Sequence, residues 1–464
     1  MTAPSSPEPR ASGQHPCAQF VVAAAGIAAL AAVFHYLWRL GDLKLYAVET
    51  IAAGLVAGIL YLCTLFFLEK TFDRRGVFWV ILAGALLFRI QLFPLPQSLS
   101  DDVHRYRWDA KVQQAGFNPY LVRPDDPRVA HLRDVYWART PGLDIPTIYP
   151  PLAELVHLWT YRAISARPLS EQLILFKVPS LLADLLVLGL LAIWVRATAA
   201  RNFSLAVYAW NPLVVVEFAA GGHNDALAMA GVVAASLVII RGRWGVSTLL
   251  LAAAALAKLF PVVLIPAALR GAGWPTRRGG WLAAAGVVAL FAAFAWPFRA
   301  PLADFQEILT NYEGRWMANN AGLWGFLLWF SGTRDVATGI GVGVVAGLML
   351  WLAARTRPGV AGIEAARSFA RGSFLVVGAI FLYSPNAFPW YFLWTMPLVG
   401  MLPWGRLHSA WLLLSVTQFL SYNVLIDFAA SGTWRFQPEY LWLTYGPFFA
   451  LAALLLLRKQ EPSN

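Results

Sequence analysis

At 464 residues, 59% hydrophobic and only 13% charged, the chain carries too little polar surface to cover a soluble globule of its size, and it reads as an all-α polytopic membrane protein. The 36 Lys+Arg against 25 Asp+Glu give +11 at pH 7; the cations are scattered between apolar spans, which suits cytoplasmic loops and anionic lipid head groups and points away from nucleic acid. Cys17 and Cys63 make neither a disulfide framework nor a metal site.

In chain order, residues 1–16 are a Pro- and Ser-rich tail expected to be disordered; a single transmembrane domain over 17–458 and a short cytoplasmic tail, 459–464, follow. The apolar run 18–38 reads as a retained first helix, because only Arg10 precedes it as a Lys or Arg and another span follows at once. Spans near 44–68 and 77–95 are separated by basic residues at 69–75, which places that loop in the cytoplasm and residues 96–147 on the outer face. That outer loop is too long for mere connection. Residues 148–165 are expected to be short or re-entrant, since a full crossing would put Arg196 and Arg201 outside against the charge rule.

Apolar runs return at 172–195 and 203–219, and again after the polar break Gly222-His-Asn-Asp225. The stretch 246–269, interrupted by Lys258 and Pro261, reads as two half-helices dipping in and out with Lys258 at a cavity. A span at 281–297 leads to a second outer segment, 298–320, containing Asn311-Tyr-Glu-Gly-Arg-Trp316. Spans near 336–354, 368–383, 390–404, 409–426 and 440–457 return the chain to the basic Arg458-Lys459. The count is about eleven to thirteen crossings, with no internal repeat.

Residues 100–120 concentrate acids, bases and aromatics as almost no other stretch does. Ser100 reads as a helix N-cap, Asp101 and Asp102 fall in the first turn, Arg105 and Tyr106 lie one turn on, and Gly116 ends the helix. The bland alternative is an amphipathic helix whose acids serve only its cap. Asp101, Asp102, His104, Arg105, Tyr149, His223, Asn224, Asp225, Arg315 and Asn386 are all expected on one face of the membrane, with Lys258 at its edge. No His-Glu-x-x-His, Walker or dinucleotide motif occurs, so neither a nucleotide nor a metal cofactor is indicated. A carboxylate, cations near the bilayer and aromatic walls suit transfer of a sugar from a lipid-linked phosphate to a hydroxyl. The Asp would take the hydroxyl proton, and cations would stabilise the departing phosphate.

Asp101-Asp102-Val-His-Arg-Tyr-Arg-Trp-Asp109 with Gly116-Phe-Asn-Pro-Tyr120, then Tyr149-Pro-Pro151, Asn211-Pro212, Gly222-His-Asn-Asp225, Lys258 with Pro261, and Pro389-Trp-Tyr391, together resemble the integral-membrane C-fold (GT-C) glycosyltransferases. The likeness is nearest to the family 87 and actinobacterial mannosyltransferase-like branch, and it runs from about residue 77 to 400. The resemblance implies a GT-C bundle transferring a sugar, mannose above others, with inversion from a polyprenyl-phosphate donor to a glycolipid or cell-wall glycan. The place implied is the periplasmic face of a bacterial inner membrane. It gives the base role to Asp101, with Asp102 a rival because the related pattern is often Asp-Glu. His104 and Arg105 would orient the loop or meet donor phosphate, and Tyr149, His223, Asn224, Asp225, Lys258, Arg315 and Asn386 would bind donor or substrate.

Plainer readings stand beside these. Tyr149 could merely precede a Pro-started helix, His223 and Asp225 could close a helix boundary, and Lys258 could snorkel. Trp316 and Trp390 could anchor at the interface, and Asp184 could pair structurally with Lys177 or another helix. The rival function is a transporter or lipid flippase using Lys258 and Asp184, which should show paired repeats. A noncatalytic assembly subunit retaining the fold is a third reading.

Overall fold

The computed structural model describes residues 18–70, 75–299, 320, 322–403, 405–431 and 437–457. Both expected tails and nearly all of the 298–320 segment, Arg315 and Trp316 included, lie outside the described residues. Among the described residues the regular structure is all helical, without strands: α1 Ala18–Leu40, α2 Ala47–Lys70, α3 Arg75–Leu92, α4 Asp102–Gln114, α5 Pro151–Ile164, α6 Leu169–Leu175 and α7 Val178–Ala197. Then come α8 Asn202–Ala209, α9 Pro212–Val215, a π-helical turn Val216–Gly221, α10 Asp225–Ile239, α11 Trp244–Ala257, α12 Ile265–Gly271 and α13 Arg278–Ala295. The last are α14 Leu323–Ser331, α15 Arg334–Arg355, α16 Ile363–Tyr383, α17 Pro389–Phe392, α18 Met396–Met401, α19 Arg406–Thr417, α20 Val424–Ser431 and α21 Pro438–Leu457.

Nine described helices are long and apolar enough to cross a membrane, or ten if the pair Asn202–Ala209 and Pro212–Gly221, bent by 48°, is one span. Three shorter apolar helices, Asp225–Ile239, Trp244–Ala257 and Phe260–Gly271, stand in place of two further expected spans, and the span expected at 390–404 is instead the short helices Pro389–Phe392 and Met396–Met401 joined by a 3-10 turn. The bend falls at Asn211-Pro212: the Asn211 side chain accepts from the Leu213 and Val214 amides, and Pro212, which has no N–H to offer, opens the next helix. Without water in the bilayer core, helix association depends on close packing, and small residues permit it. Gly54 and Gly58 of α2 do this against α19 and the turn after it, where an added Cβ would sit 2.2 Å from the Phe419 ring and 2.3 Å from Val416.

Two buried cations fix the end of α3, from which the long loop 96–147 departs. Arg89 grips Asp184 of α7 with Nε at 2.5 Å and Nη2 at 3.0 Å, and it also donates to the Ala209 and Ala85 carbonyls; the Tyr208 hydroxyl donates to the same carboxylate at 2.7 Å. Asp184 thus pairs with another helix and not with Lys177. Lys177 instead donates to the carbonyls of Phe93 (2.5 Å), Leu95 (2.6 Å) and Ala219 (3.1 Å), tying the start of the loop to the π turn.

The 14-residue α5 is too short to cross a membrane and packs on α4, with Pro151 in its first turn as proline's fixed φ favours. The 246–269 region is a hairpin: α11 runs to Ala257, Lys258 is extended at φ −152°, ψ 136°, and the chain turns back so that Gly271 lies against Trp244. At α4 two expectations are corrected. The helix begins one residue later than read: Asp101 is its N-cap, and Ser100 Oγ accepts from the Asp102 amide at 3.2 Å. The one-turn spacing from Asp101 to Arg105 makes no ion pair, because Arg105 turns to Asp109 and to the loop carbonyls while Asp101 finds cations from other elements.

Candidate active site

The loop between α1 and α2, the long loop 96–147, the Lys258 turn, the end of α13 and residues 388–394 line a cavity of about 980 Å³ whose polar lining includes Lys44, Asp101, Asp102, Arg139, Tyr149 and Lys258. Its remaining wall is largely apolar and includes Leu259, Phe260, Phe291, Phe298, Phe388 and Trp390. An aromatic chamber holding a few convergent charges is the usual form of a small-molecule site.

The two acids at the head of α4 have different surroundings. Asp101 lies between two cations, Lys44 Nζ at 3.0 Å and Arg139 Nη2 at 3.3 Å. Asp102 points the other way, its Oδ2 3.9 Å from His223 Nε2. Burial raises the Asp102 carboxyl above its ordinary value; His223 and Lys258 oppose that rise, while Asp225 and Asp101 reinforce it. Behind Asp102 the imidazole of His223 lies flat on Trp390, ring centres 4.1 Å apart, with Nδ1 2.7 Å from Glu217 Oε2. Tyr422 hydrogen-bonds the other Glu217 oxygen.

Lys258 is placed by the α11 turn with Nζ 3.2 Å from Asp225 Oδ2, while Trp394 Nε1 donates to Asp225 Oδ1 at 2.6 Å. The same ammonium stands 5.9 Å from the Tyr149 ring centre and 5.2 Å from that of Tyr391. Asp225 therefore locates the cation, and the aromatic faces keep it directed at the cavity.

Of the residues singled out from the sequence, Asp101, Asp102, Arg105, Tyr149 and Lys258 line the cavity. His223, Asn224 and Asp225 are buried immediately behind that wall, and neither amide atom of Asn224 has a hydrogen-bond partner. Arg105 reaches the wall but is saturated: it chelates Asp109 at 2.9 Å and donates to the carbonyls of Pro141, Gly142 and Ile145, bracing the 140–145 rim. Burial pushes the Asp109 carboxyl up to about 7 against the opposing pull of Arg105.

His104 and Asn386 do not line the cavity. His104 is 2% exposed and tilted against Tyr136, and burial, with Arg139 adding to it, brings its imidazole down to about 4, so the ring is neutral. Its helical position, two residues past Asp102, turns it away from the cavity. Asn386 is buried beside it in sequence only; its backbone amide donates to Ser384 Oγ, and the aromatics that follow it make the wall. Sequence reading missed Lys44, Arg139, Glu217 and Tyr422. A lone acid within the apolar run 203–219 was the one available signal for Glu217.

Residues 12–272 match the family described as alpha-(1->6)-mannopyranosyltransferase, N-terminal domain, and this stretch includes α4, the π turn and the Lys258 turn. The chain is also similar to a probable alpha-(1->6)-mannopyranosyltransferase of Mycolicibacterium smegmatis (strain ATCC 700084 / mc(2)155), 28% identical over 165 residues. That alignment takes in 34% of this chain and 28% of the relative's own length. With more than half of its length matched, the chain belongs to the MptA_B family.

Proposed function

We propose that the protein transfers a mannosyl residue from a polyprenyl-phosphate carrier to a hydroxyl of a glycolipid or cell-wall glycan, at the outer face of the inner membrane. The observation that carries this reading is one cavity in which a carboxylate of raised proton affinity faces an amine, beside a long apolar wall. Asp102 is the general base: it accepts the acceptor's proton as the oxygen attacks the anomeric carbon, and it is not held in the cation pairs that occupy Asp101. The bond from anomeric carbon to phosphate oxygen breaks, and its electron pair leaves with the phosphate. Lys258, with Arg139 and Lys44 held ready by Asp101, stabilises that growing charge. In-line attack inverts the anomeric centre, so a β-linked donor yields an α-mannoside. The apolar side at Leu259, Phe260 and Phe298 suits the prenyl chain, and Trp390 and Phe388 suit the sugar faces.

The transporter reading would use Lys258 and Asp184, and Asp184 is engaged by Arg89 and Tyr208. The test offers purified protein three donors, polyprenyl-phosphate mannose, polyprenyl-phosphate glucose and GDP-mannose, with a short synthetic α-(1→6)-mannoside as acceptor. A hexose-extended product from the first alone is expected. No product from any of them, or product from GDP-mannose alone, overturns the proposal.

A further inference from the structure

The mechanism above uses Asp102, but it leaves unexplained why a carboxylate, an imidazole and a second carboxylate follow one another in a line leading away from the cavity. Glu217 and His223 are 0% and 1% exposed, so neither touches a molecule in the chamber. The backbone that presents them is unusual on two counts. Val216–Gly221 is a π-helical turn, a form that costs regular hydrogen bonding and is found mostly as single turns at functional sites. Gly222, which follows it, is left-handed at φ +76°. Together they bring Glu217 and His223, six positions apart, into contact: Nδ1 meets Oε2 at 2.7 Å and the Glu217 carbonyl oxygen at 3.4 Å. Ser180 Oγ donates to the His223 carbonyl and Trp390 covers one face of the imidazole. Its remaining nitrogen, Nε2, has no hydrogen-bond partner and faces Asp102 Oδ2 at 3.9 Å, a separation that catalytic contacts often show before substrate tightens them.

We infer that Glu217 is a positioning residue for the proton transfer, acting through His223 on Asp102. Glu217, its Oε2 at ion-pair distance from Nδ1, balances the charge of His223, so that an imidazolium directs its Nε2–H at Asp102 and keeps that carboxylate ionised until the acceptor arrives. Tyr422 fixes the far oxygen of Glu217. In the reacting step the acceptor's proton goes to Asp102, the new bond forms to the anomeric carbon, and the phosphate leaves with the electron pair. No proton is required of Glu217. The inference rests on the reading of Asp102 as the base.

The other charged or titratable groups around this line belong to other roles. Asp225 and Lys258 both act on Asp102 electrostatically but are bound to each other, Asp101 is held by Lys44 and Arg139, and Lys177 packs its methylenes near Gly222 while its ammonium serves backbone carbonyls. Tyr106 and His157 lie on the α4–α5 side, stacked on one another.

The test is the pH dependence of kcat and KM for polyprenyl-phosphate mannose in purified wild type, Glu217→Gln, Glu217→Asp, Tyr422→Phe and Asp102→Asn. Glu217→Gln keeps the shape but removes the charge balance. His223 then loses its proton more readily, Asp102 loses a neighbouring cation, and its proton affinity rises. The expected result is a kcat lowered at least about tenfold at neutral pH, donor KM within about twofold, and an acid limb moved up by about one pH unit. Glu217→Asp should return the limb part of the way, and Tyr422→Phe should move it less in the same direction. A Glu217→Gln protein whose yield or melting point falls while kcat per folded molecule and the acid limb stay at wild type overturns the inference. If that variant does not fold, Tyr422→Phe decides, and an unmoved limb overturns it. Full activity of Asp102→Asn instead overturns the assignment of the base, a result that is distinct from the other two.

Discussion

Asp101 and Asp102 are chemically identical and adjacent, and only their neighbours separate them. Between Lys44 and Arg139, Asp101 has its charge answered on both sides, which favours an anchoring role; Asp102 has one imidazole at ion-pair distance and a wall that burial makes apolar. Because burial raises the Asp102 carboxyl, the ionised base is present only above a pKa higher than the usual carboxylate value of about 3.9. The rate of transfer should therefore fall as pH drops through that raised value, and a pH–kcat profile measured with saturating donor checks it. Lys258 supplies the second residue-scale prediction: Lys258→Met should lower kcat about 100-fold, the usual loss when one group stabilising transition-state charge is removed, measured with the same donor. Lys258, Asp225 and Tyr149 were legible in the sequence because polar groups interrupting apolar runs stand out. Lys44 and Arg139 were not, since each meets Asp101 from a different loop and no local spacing announces the contact.

Among the elements, the most informative are those that depart from regular geometry. The π turn, the left-handed Gly222 and the Lys258 hairpin each stop a helix at the same end of the bundle and turn polar groups inward. Gly222 tolerates no side chain: an added Cβ would lie 2.6 Å from Lys177 Cγ, and the backbone is already at φ +76°. Gly222→Ala should destabilise the protein by about 1–3 kcal/mol, read as a lower midpoint of thermal unfolding in detergent, with loss of transfer at temperatures the wild type withstands. Helix positions were readable from apolar runs, and the interruption at 258–261 foretold the hairpin. The start of α4 was misjudged by one residue because Ser100 and Asp101 are both good caps, and the choice between them is made by tertiary partners. The π turn was not readable at all: Val216–Gly221 has the composition of an ordinary apolar helix.

For the molecule as a whole, composition alone determined the class, and the basic loops ordered the crossings well enough to gather the polar breaks at one end. What composition could not supply was depth. Short helices such as α10 and α11 do not register by length, and α5 carries too much polarity for a span and too little for a loop. The gathering of those breaks around one aromatic chamber with a largely apolar lining is what the proposed transfer between a lipid-borne donor and a polar acceptor would use. The most direct measurement is the initial rate of mannosyl transfer from polyprenyl-phosphate mannose to a synthetic α-(1→6)-mannoside by purified Asp101→Asn and Asp102→Asn proteins of confirmed folding. The account predicts a loss of about 100- to 10,000-fold in Asp102→Asn and a smaller loss in Asp101→Asn; a full rate in Asp102→Asn would contradict it.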